Sequence, residues 1–285
     1  MTDMASAADA GTIGIGGDLT VNRLGFGAMR LTGAGIWGEP PDRDVAKSLL
    51  KRAIELGVNF IDTADSYGPD VSETLIAEAL YPYPEDLVIA TKGGHERTGP
   101  NRWPINGRPD HLKAACEGSL QRLRLDQIAL YQLHRPDPRI PYEDSVGALV
   151  ELKEQGKIRH IGVSNVNEEQ LQVAQRLTPV VSIQNRYSVA DRDSESLVDV
   201  CELEALVFLP WGPIRDVANN RTLRELAPRH AATPTQVALA WLLARSPTML
   251  PIPGTGSVSH LEENIGAAAI RLEASEVARL SAADA

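Results

Sequence analysis

The sequence predicts an α/β fold, a (β/α)8 TIM barrel that follows an N-terminal β-hairpin. Short apolar runs of strand length alternate with stretches of helical periodicity, and eight such units fill about 250 residues, the usual size of this barrel. A doubly wound open sheet would have fewer strands and usually a Gly-rich first turn, but Gly14-Ile15-Gly16 has Leu19 where the third glycine should stand. We therefore predict a single barrel domain over residues 1–285.

The N-terminal part of the chain predicts a hairpin after a disordered segment. Residues 1–11 are mostly small and polar, so we expect them to be disordered. The stretch TIGIGGDLTVNRL alternates apolar and polar residues around Gly16-Gly17, which predicts a hairpin with a two-residue turn. A basic segment followed by an apolar one is missing from the start, so we expect a cytoplasmic protein.

The rest of the chain predicts eight strands and eight helices in alternation. The strands are expected at residues 24–28, 58–61, 87–91, 128–133, 158–163, 181–184, 206–209 and 249–252. Apolar residues recur at intervals of three and four in the helices, which are expected at residues 42–56, 71–80, 110–123, 142–155, 167–177, 193–203, 233–244 and 259–268. Strands that alternate with helices form a parallel sheet.

Composition and charge limit the classes of partner. The chain of 285 residues is 43% hydrophobic and carries a net charge of −10, which argues against binding to nucleic acid or to an anionic membrane. No window of 18 apolar residues predicts a membrane span. Cys116 and Cys201 lie in apolar helical patterns, so we expect inert core thiols. The histidines are scattered without ligand spacing, and no metal site is predicted.

Four polar residues follow predicted strands at the end where barrel enzymes carry their chemistry. Asp62 and Tyr67 belong to NFIDTADSYG, Lys92 follows LVIAT, and His134 follows IALYQL. Each alone has an ordinary explanation: a turn cap, a packed aromatic ring, a solvated lysine or a structural histidine. Their joint placement at the ends of successive strands favours a functional site instead.

These four side chains could donate a proton to a substrate. The pKa of tyrosine is about 10, so it must fall by about 3 units before the phenol can act as an acid near neutral pH. A nearby ammonium such as Lys92 has an effect of that size. Asp62 would keep Lys92 charged in a dry pocket, while Asp65 is expected to be a turn residue. A neutral His134 could orient a carbonyl oxygen.

These residues resemble the aldo-keto reductases over about residues 24–280. The resemblance rests on the stretches GFGAMRL, FIDTADSYG, IATKGG, LYQLHRPD, KIRHIGVSN, IQNRYS, LPWGP and IPGTGSVSHLEEN. It implies that Asp62, Tyr67, Lys92 and His134 form the family's catalytic tetrad. It also implies hydride transfer between a nicotinamide cofactor and a small carbonyl or alcohol substrate, with Tyr67 as general acid or base.

The resemblance further implies where a cofactor would bind. Ser164, Asn165 and Gln184 match the residues that hold the nicotinamide carboxamide, and Trp211 matches the aromatic ring that stacks on the nicotinamide. The stretch IPGTGSVSHLEEN leads into a helix and is typical of a phosphate site. Its expected contacts are Gly254, Thr255, Gly256, Ser257 and His260 for the phosphates, and Glu263 and Asn264 for the adenine.

Two cations of the best-known family pattern are missing. That pattern has a Lys near Gly254 and an Arg at the place of His260, and both grip the 2′-phosphate of NADP. Arg215 or Arg221 could supply a replacement from another loop. We expect NADP(H) to be preferred, with NAD(H) as the alternative.

The loops after the first and third predicted strands carry Trp37 and Trp103, which predicts an apolar or aromatic aldehyde or ketone between these rings and Trp211. The alternative is that both tryptophans only pin their loops to the barrel. Two other functions stay open at this point: a nucleotide-sensing subunit, as in the β subunits of voltage-gated potassium channels, and a barrel isomerase or lyase that binds a phosphorylated substrate. Oligomeric state is not predicted.

Overall fold

A computed structural model of the protein describes residues 5–282, which begin with a capped turn and a hairpin. Ser6 caps a short 3-10 helix over Ala7–Ala10, and the side chain of Ala7 is fully buried. The expected disorder is therefore wrong for the described part of residues 1–11, while residues 1–4 lie outside the described range. This turn is ordered because the Ala7 amide donates to the Leu56 carbonyl and Ala7 packs in the core.

The predicted hairpin is present, with a longer turn than expected. Strands β1 (Thr12–Ile15) and β2 (Leu19–Asn22) pair antiparallel, with Ile15 opposite Leu19. The loop therefore has three residues, not two, and its two glycines have φ values of 63° and 85°. Its third residue, Asp18, accepts a hydrogen bond from His160 at 2.6 Å, which ties the loop to the barrel.

The main sheet is parallel and curls into a barrel, which confirms the predicted fold class. Its seven strands pair in chain order, each with the next. They are β3 (Phe26–Gly27), β4 (Phe60–Asp62), β5 (Val88–Gly93), β6 (Ile128–Leu133), β7 (Ile158–Ser164), β8 (Val180–Gln184) and β9 (Val207–Phe208).

The eighth predicted strand, residues 249–252, closes the barrel without being a regular strand. It makes one bridge, from Met249 to Phe208, and the amides of Gly25 and Gly27 donate to the carbonyls of Pro251 and Pro253. The segment thus lies between β9 and β3. Proline has no N–H group, so these residues accept hydrogen bonds but cannot return them, and no full ladder forms.

The eight predicted helices are all present, with ends within two residues of those expected. Asp42, Asn167 and Thr233 cap their helices with side-chain oxygens. Two further helices, over Arg221–Leu226 and Ala274–Ala282, were not predicted. In chain order the helices are α1 (Arg43–Glu55), α2 (Val71–Leu80), α3 (Pro109–Leu123), α4 (Tyr142–Glu154), α5 (Glu168–Leu177), α6 (Glu195–Glu204), α7 (Arg221–Leu226), α8 (Pro234–Arg245), α9 (Val258–Gly266) and α10 (Ala274–Ala282).

The interior of the barrel changes from apolar to polar along the strands. At the amino-terminal end, Ile15 and Val21 of the hairpin pack with Phe60, Ala90 and Leu130. Toward the carboxyl-terminal end, the next inward side chains are polar and buried: Asp62, Lys92, Gln132 and Gln184. Side chains alternate along a strand, so each strand contributes to both layers. The apolar layer closes one end and leaves the polar layer facing the other.

Both cysteines are free and buried, and burial raises the pKa of each thiol to about 12. This agrees with the expected inert thiols. Within residues 5–282, no helix is long and apolar enough to cross a membrane.

Candidate active site

A cleft of about 1000 Å³ opens above the polar layer, at the carboxyl ends of the strands. Its walls include residues from the loops that follow β3, β4, β5, β6, β7 and β9, and Gln184 at the end of β8. Three of the four predicted catalytic residues, Asp62, Tyr67 and His134, line this cleft, and Lys92 lies directly beneath them. The structure therefore brings together the four residues that the sequence indicated.

Asp62 and Lys92 form a buried ion pair at the floor of the cleft. The Lys92 Nζ lies 2.7 Å from Asp62 Oδ2 and 2.8 Å from the Thr63 carbonyl oxygen, and its side chain is 0% exposed. Burial acts to lower the pKa of Lys92, but the charge of Asp62 opposes it, and the net pKa is raised. Lys92 is therefore a fixed positive charge near neutral pH.

Two glutamine side chains complete the shell around Asp62. Gln184 Nε2 donates to Asp62 Oδ1 at 2.8 Å, and Gln132 Nε2 donates to the same oxygen at 3.3 Å. A buried carboxylate needs such donors to offset its lost hydration. Gln132 was not identified from the sequence, although it stands two residues before His134 at the end of β6.

Tyr67 brings its hydroxyl to within 3.4 Å of Lys92 Nζ. The turn that holds it is closed by hydrogen bonds from the Asp70 amide to the Asp65 carbonyl and from the Ser72 amide to the Tyr67 carbonyl. Burial raises the pKa of the phenol, and Asp62 offsets the lowering effect of Lys92. The expected net lowering of the Tyr67 pKa is therefore wrong, and the phenol keeps its proton near neutral pH.

Asp65 lies in the same turn, as expected, and it is a buried acid. Its side chain is 8% exposed and Oδ1 has no hydrogen-bond partner. Burial, followed by the charge of Glu73, raises the pKa of Asp65 well above its usual value. Asp62 and Asp65 thus differ in their surroundings: the first has a lysine partner and the second does not.

His134 lies edge-on to the Tyr67 ring, with ring centroids 5.9 Å apart. Burial lowers the pKa of His134 well below its usual value, so the imidazole is neutral. Its Nδ1 is buried without a hydrogen-bond partner. An orphaned lone pair costs less than an orphaned N–H group, so we assign the proton to Nε2.

The residues expected to hold the nicotinamide form one connected group on the wall of the cleft. Asn165 Oδ1 accepts from Trp211 Nε1 at 3.1 Å, and Asn165 Nδ2 donates to Ser164 Oγ at 3.0 Å. Ser164 Oγ in turn donates to the Gln184 carbonyl at 2.7 Å. All four residues line the cleft. Asn165 has a φ of 57°, a left-handed conformation that asparagine tolerates well.

The predicted phosphate loop packs closely against the turn after β3. A Cβ added to Gly254 would lie 2.6 Å from the Gly27 carbonyl oxygen, so only glycine fits there. Thr255 Oγ1 accepts a hydrogen bond from the Ser257 amide at 3.1 Å, next to the start of α9. A Cβ added to Gly256 would lie 3.3 Å from the Arg30 carbonyl oxygen. This loop and the Arg30 turn thus form one edge of the cleft.

The two residues expected to contact adenine have different surroundings. Glu263 accepts a hydrogen bond from Thr233 Oγ1 at 2.7 Å, which links α9 to the start of α8. Asn264 is 3% exposed, and its Nδ2 has no partner. Three features fit a dinucleotide: the unpaired amide donor at this position, the glycine-lined loop and the size of the cleft. His260 is exposed on the first turns of α9.

Arg30 was missed by sequence reasoning. It is exposed, lines the cleft, and has its Cγ 3.8 Å from the position of a Cβ on Gly254. Its side chain makes no hydrogen bond or ion pair with any residue of the range 5–282. Its place just after the first predicted strand could have indicated it. Of the two cations considered earlier, Arg215 lines the cleft, whereas Arg221 pairs with Glu225 and does not.

The two loop tryptophans have different positions. Trp103 lines the cleft and meets the Tyr67 ring edge-on at 6.3 Å. Trp37 does not line the cleft; the Arg97 guanidinium lies 5.6 Å from its ring and 3.6 Å from that of Trp103. Arg97 also donates to the carbonyls of Ser66 and Gly35. This arrangement favours a loop-pinning role for Trp37.

His95 was also missed, although it follows Lys92 by only three residues. Its ring lies 4.5 Å from that of His134, centroid to centroid, and it lines the cleft. Residues 5–282 contain no group of three or more side chains suited to hold a metal ion.

The comparisons with known proteins agree with the geometry. The Aldo/keto reductase family model matches residues 23–285. An uncharacterized oxidoreductase of Schizosaccharomyces pombe is 48% identical, covering 96% of this chain and 90% of its own. Pyridoxine 4-dehydrogenase of Escherichia coli is 42% identical, covering 90% of this chain and 92% of its own.

A solved structure, an aldo-keto reductase of Klebsiella pneumoniae in complex with NADPH, superimposes with a TM-score of 0.79 at 27% identity, covering 94% of this chain and 93% of that one. The chain belongs to the aldo-keto reductase family, whose members are NAD(P)H-dependent oxidoreductases that act on small-molecule carbonyl compounds.

Proposed function

We propose that the protein is an NADP(H)-dependent reductase of aldehydes and ketones in which Tyr67 gives the proton to the carbonyl oxygen. The observation that carries the proposal is the buried Lys92 ammonium, which lies between Asp62 and the Tyr67 hydroxyl. A buried charge of this kind costs desolvation energy, and such charges are common in active sites, where they take part in the reaction. The alcohol oxidation is the reverse reaction, with Tyr67 as the base.

Lys92 would act on the phenolate that remains after proton transfer. Two unit charges separated by the observed 3.4 Å attract each other by roughly 5 kcal/mol at an effective dielectric constant of ~20. The phenol is neutral before transfer and gains little from this charge, so the stabilisation grows as the proton leaves. The arrangement supports a proton donor whose acidity increases along the reaction.

His134 would orient the substrate. With the proton on Nε2, the neutral ring can donate a hydrogen bond to the carbonyl oxygen beside the Tyr67 hydroxyl. A charged imidazolium would compete with Tyr67 as the proton donor, and burial disfavours that form. The two side chains then have separate roles, orientation for His134 and proton transfer for Tyr67.

When bound, a nicotinamide cofactor supplies the hydride. Ser164, Asn165 and Gln184 would hold its carboxamide, and the indole of Trp211 offers a flat apolar surface for its ring. The loop over residues 254–257, with Gly254, Thr255, Gly256 and Ser257, would hold phosphate oxygens, and Glu263 and Asn264 would contact the adenine.

The preference for NADP(H) would depend on Arg30 and His260. Arg30 supplies a full positive charge at the edge of the cleft formed by its own turn and residues 254–257, which we call the phosphate edge and where the best-known family pattern has other cations. His260 is exposed and could add a hydrogen bond. The Klebsiella pneumoniae neighbour in complex with NADPH supports the same cofactor.

The substrate would be an aromatic or apolar carbonyl compound. Trp103, Ile36, Ile105 and Met29 line the cleft near Tyr67 and give it an apolar side. The 42% identity to pyridoxine 4-dehydrogenase makes pyridoxal a suitable first substrate to test.

The test is oxidation of NADPH and of NADH by the purified protein, measured separately with benzaldehyde, pyridoxal and an aliphatic aldehyde. Turnover with NADPH at a kcat/KM at least 10-fold above that with NADH is expected. Turnover with NADH alone would contradict the proposed cofactor. Binding of both cofactors without turnover of any aldehyde or alcohol would instead favour a nucleotide-sensing subunit.

A further inference from the structure

The side chain of Arg97 joins three loops at the mouth of the cleft. Arg97 belongs to the loop after β5, and its Nη1 donates to the Ser66 carbonyl at 2.8 Å, in the loop after β4. Its Nη2 donates to the Gly35 carbonyl at 3.0 Å, in the segment between β3 and α1. Its Nε donates to the Arg102 carbonyl at 3.1 Å, within its own loop. All three guanidinium nitrogens therefore have partners, and the planar fork fixes the loops relative to one another.

The same guanidinium supports the aromatic wall of the cleft from behind. Its Cζ lies 3.6 Å from the centroid of the Trp103 ring, which lines the cleft and meets the Tyr67 ring edge-on. Arg97 is not itself among the residues that line the cleft. A guanidinium at this distance from an indole attracts the ring and limits its tilt. Arg97 thus lies behind the wall and holds it in place.

The bond to the Ser66 carbonyl connects the proton donor to the same side chain. Ser66 immediately precedes Tyr67, so this hydrogen bond fixes the peptide group that leads into the residue carrying the phenol. The rings of Tyr67 and Trp103 have their centroids 6.3 Å apart. One guanidinium therefore holds both the turn of the reacting hydroxyl and the aromatic ring beside it.

The contacts of Arg97 are separate from the framework of the barrel. The carbonyls that accept from its side chain, those of Gly35, Ser66, Gly99 and Arg102, all lie outside strands β1 to β9 and helices α1 to α10. Within residues 5–282 no carboxylate pairs with the guanidinium. Its contacts order loops and take no part in the ladder of the sheet, so its loss should alter the cleft more than the fold.

We propose that Arg97 is a positioning residue that holds the Trp103 ring at a fixed place beside Tyr67, and that this spacing makes the cleft prefer aromatic to small aliphatic aldehydes. An aromatic substrate that packs against Trp103 while its carbonyl meets Tyr67 needs both groups in place at once. A small aliphatic aldehyde needs only Tyr67, which Lys92 and the bonds of its own turn also hold. The inference rests on the proposed function, because it places the reacting carbonyl at Tyr67.

The experiment measures kcat and KM for benzaldehyde and for propanal with saturating NADPH, in the wild-type protein and in Arg97→Met. Methionine fills much of the volume of the side chain but has no N–H groups and no charge. We expect the ratio of kcat/KM for benzaldehyde to that for propanal to fall by about 10-fold, mainly through the KM for benzaldehyde. The kcat for propanal should stay within about 3-fold of wild type. A ratio that does not change would overturn the inference.

The conservative variant Arg97→Lys separates charge from shape. Lysine keeps the positive charge and can donate to one or two of the carbonyls, but it has no planar group to stack on the Trp103 ring. Positioning by the fork predicts that Arg97→Lys keeps less than about half of the preference that Arg97→Met loses, measured as the logarithm of the ratio. A wild-type preference in Arg97→Lys would mean that the charge alone is sufficient, and would contradict the positioning role.

The matched control for a general loss of stability is Arg23→Met. Arg23 is also partly buried and donates to three carbonyls, those of Leu243, Ser246 and Met249, but it lies outside the cleft. Its replacement should lower the melting temperature at least as much as Arg97→Met does, and should leave the benzaldehyde-to-propanal ratio within about 2-fold of wild type. An equal fall of the ratio in both variants would show that lost stability explains the effect, and would overturn the inference.

A spectroscopic measurement keeps the inference testable without turnover. Fluorine NMR of the protein labelled with 5-fluorotryptophan reports on each indole, and Trp103→Phe assigns the Trp103 signal. We expect Arg97→Met to shift or broaden this signal without any ligand, whereas Arg23→Met leaves it in place. A Trp103 signal that is the same in wild type and Arg97→Met would overturn the inference, whether or not any aldehyde is reduced. A moved signal without turnover of any aldehyde would support the positioning role and contradict only the proposed reaction.

Discussion

The charged side chains at the floor of the cleft and those at its phosphate edge have opposite surroundings, since the first are buried and the second are exposed. At the floor, Lys92 and Asp62 are almost completely buried, and each finds partners within hydrogen-bonding distance. At the edge, Arg30 and His260 are exposed, and Arg30 has no ionic partner within residues 5–282. The protein itself fixes the charges of the floor, whereas the edge carries exposed side chains that we propose contact the cofactor.

The difference shows how strongly each region constrains its residues. A buried ammonium requires a carboxylate nearby, and that carboxylate requires further donors, so replacing one member affects the others. An exposed cation needs only to reach the ligand, so it can come from any loop that borders the site. The four residues of the predicted tetrad accordingly lie together, whereas Arg30, the cation that we propose for the phosphate site, comes from a different loop than in the best-known family pattern.

The largest expected effect is at the floor. Asp62→Asn would leave Lys92 charged and buried without a carboxylate, so we expect the free energy of unfolding to fall by about 3–5 kcal/mol unless the lysine loses its proton. The rate of aldehyde reduction should fall as well. Urea unfolding followed by circular dichroism, together with NADPH oxidation, measures both changes.

Asp65→Asn is the matched control, because Asp65 is also buried but has no lysine partner. Its raised pKa favours the protonated acid, which asparagine resembles in shape. We expect the free energy of unfolding to change by about 1 kcal/mol or less at pH 4. Because the pKa of Asp65 is higher in the folded state than in the unfolded state, the wild-type protein loses stability as pH rises above the unfolded pKa. Asparagine does not titrate, so the variant should become more stable relative to wild type toward pH 7. Equal losses in both variants at pH 7 would remove the distinction between the two acids.

An intermediate effect is expected at the phosphate edge. Arg30→Met should raise the dissociation constant for NADPH by about 10-fold, the size of a charge-assisted contact at an exposed site, and should leave kcat with saturating cofactor within about 2-fold. Fluorescence titration measures the affinity. Arg221→Met, which removes a cation outside the cleft, is the control and should leave the affinity unchanged. Equal affinities in wild type and Arg30→Met would mean that another group binds the phosphates.

The smallest effect is expected from a gain of charge at the same edge. His260→Arg would add a full positive charge on the exposed turn of α9, and we expect the ratio of kcat/KM for NADPH to that for NADH to rise by about 5-fold. Steady-state kinetics with both cofactors tests this. A ratio that stays level would place the 2′-phosphate away from residue 260.

The sequence was most informative where burial constrains it. Apolar runs located the strands, and a charged residue directly after such a run identified Asp62 and Lys92. The eighth strand failed as a regular element because Pro251 and Pro253 cannot donate hydrogen bonds, a limit that hydrophobicity alone does not show. Helix α10 follows the last barrel unit, so the alternating pattern did not require it.

Two of the residues missed by sequence reasoning, Arg30 and His95, are placed by contacts between loops. Arg30 lies just after the first predicted strand, but only the fold shows its turn beside Gly254 and Gly256, more than 200 residues later in the chain. His95 is recognised only through its distance to His134 and its bond to the Pro104 carbonyl. Neither relation has a local pattern. The sequence also could not show that Tyr67 keeps its proton, because the pKa of the phenol depends on the balance between burial, the charge of Lys92 and the charge of Asp62.

The most direct test of the account is a comparison of Tyr67→Phe with wild type, by kcat for aldehyde reduction and by the dissociation constant of NADPH. Phenylalanine keeps the ring contacts with Trp103 and His134 and removes only the hydroxyl. The account predicts a fall in kcat of at least about 100-fold, the usual contribution of a general acid, with NADPH affinity within about 2-fold of wild type. A variant that retains more than about a tenth of the wild-type kcat would contradict the role of Tyr67 as the proton donor.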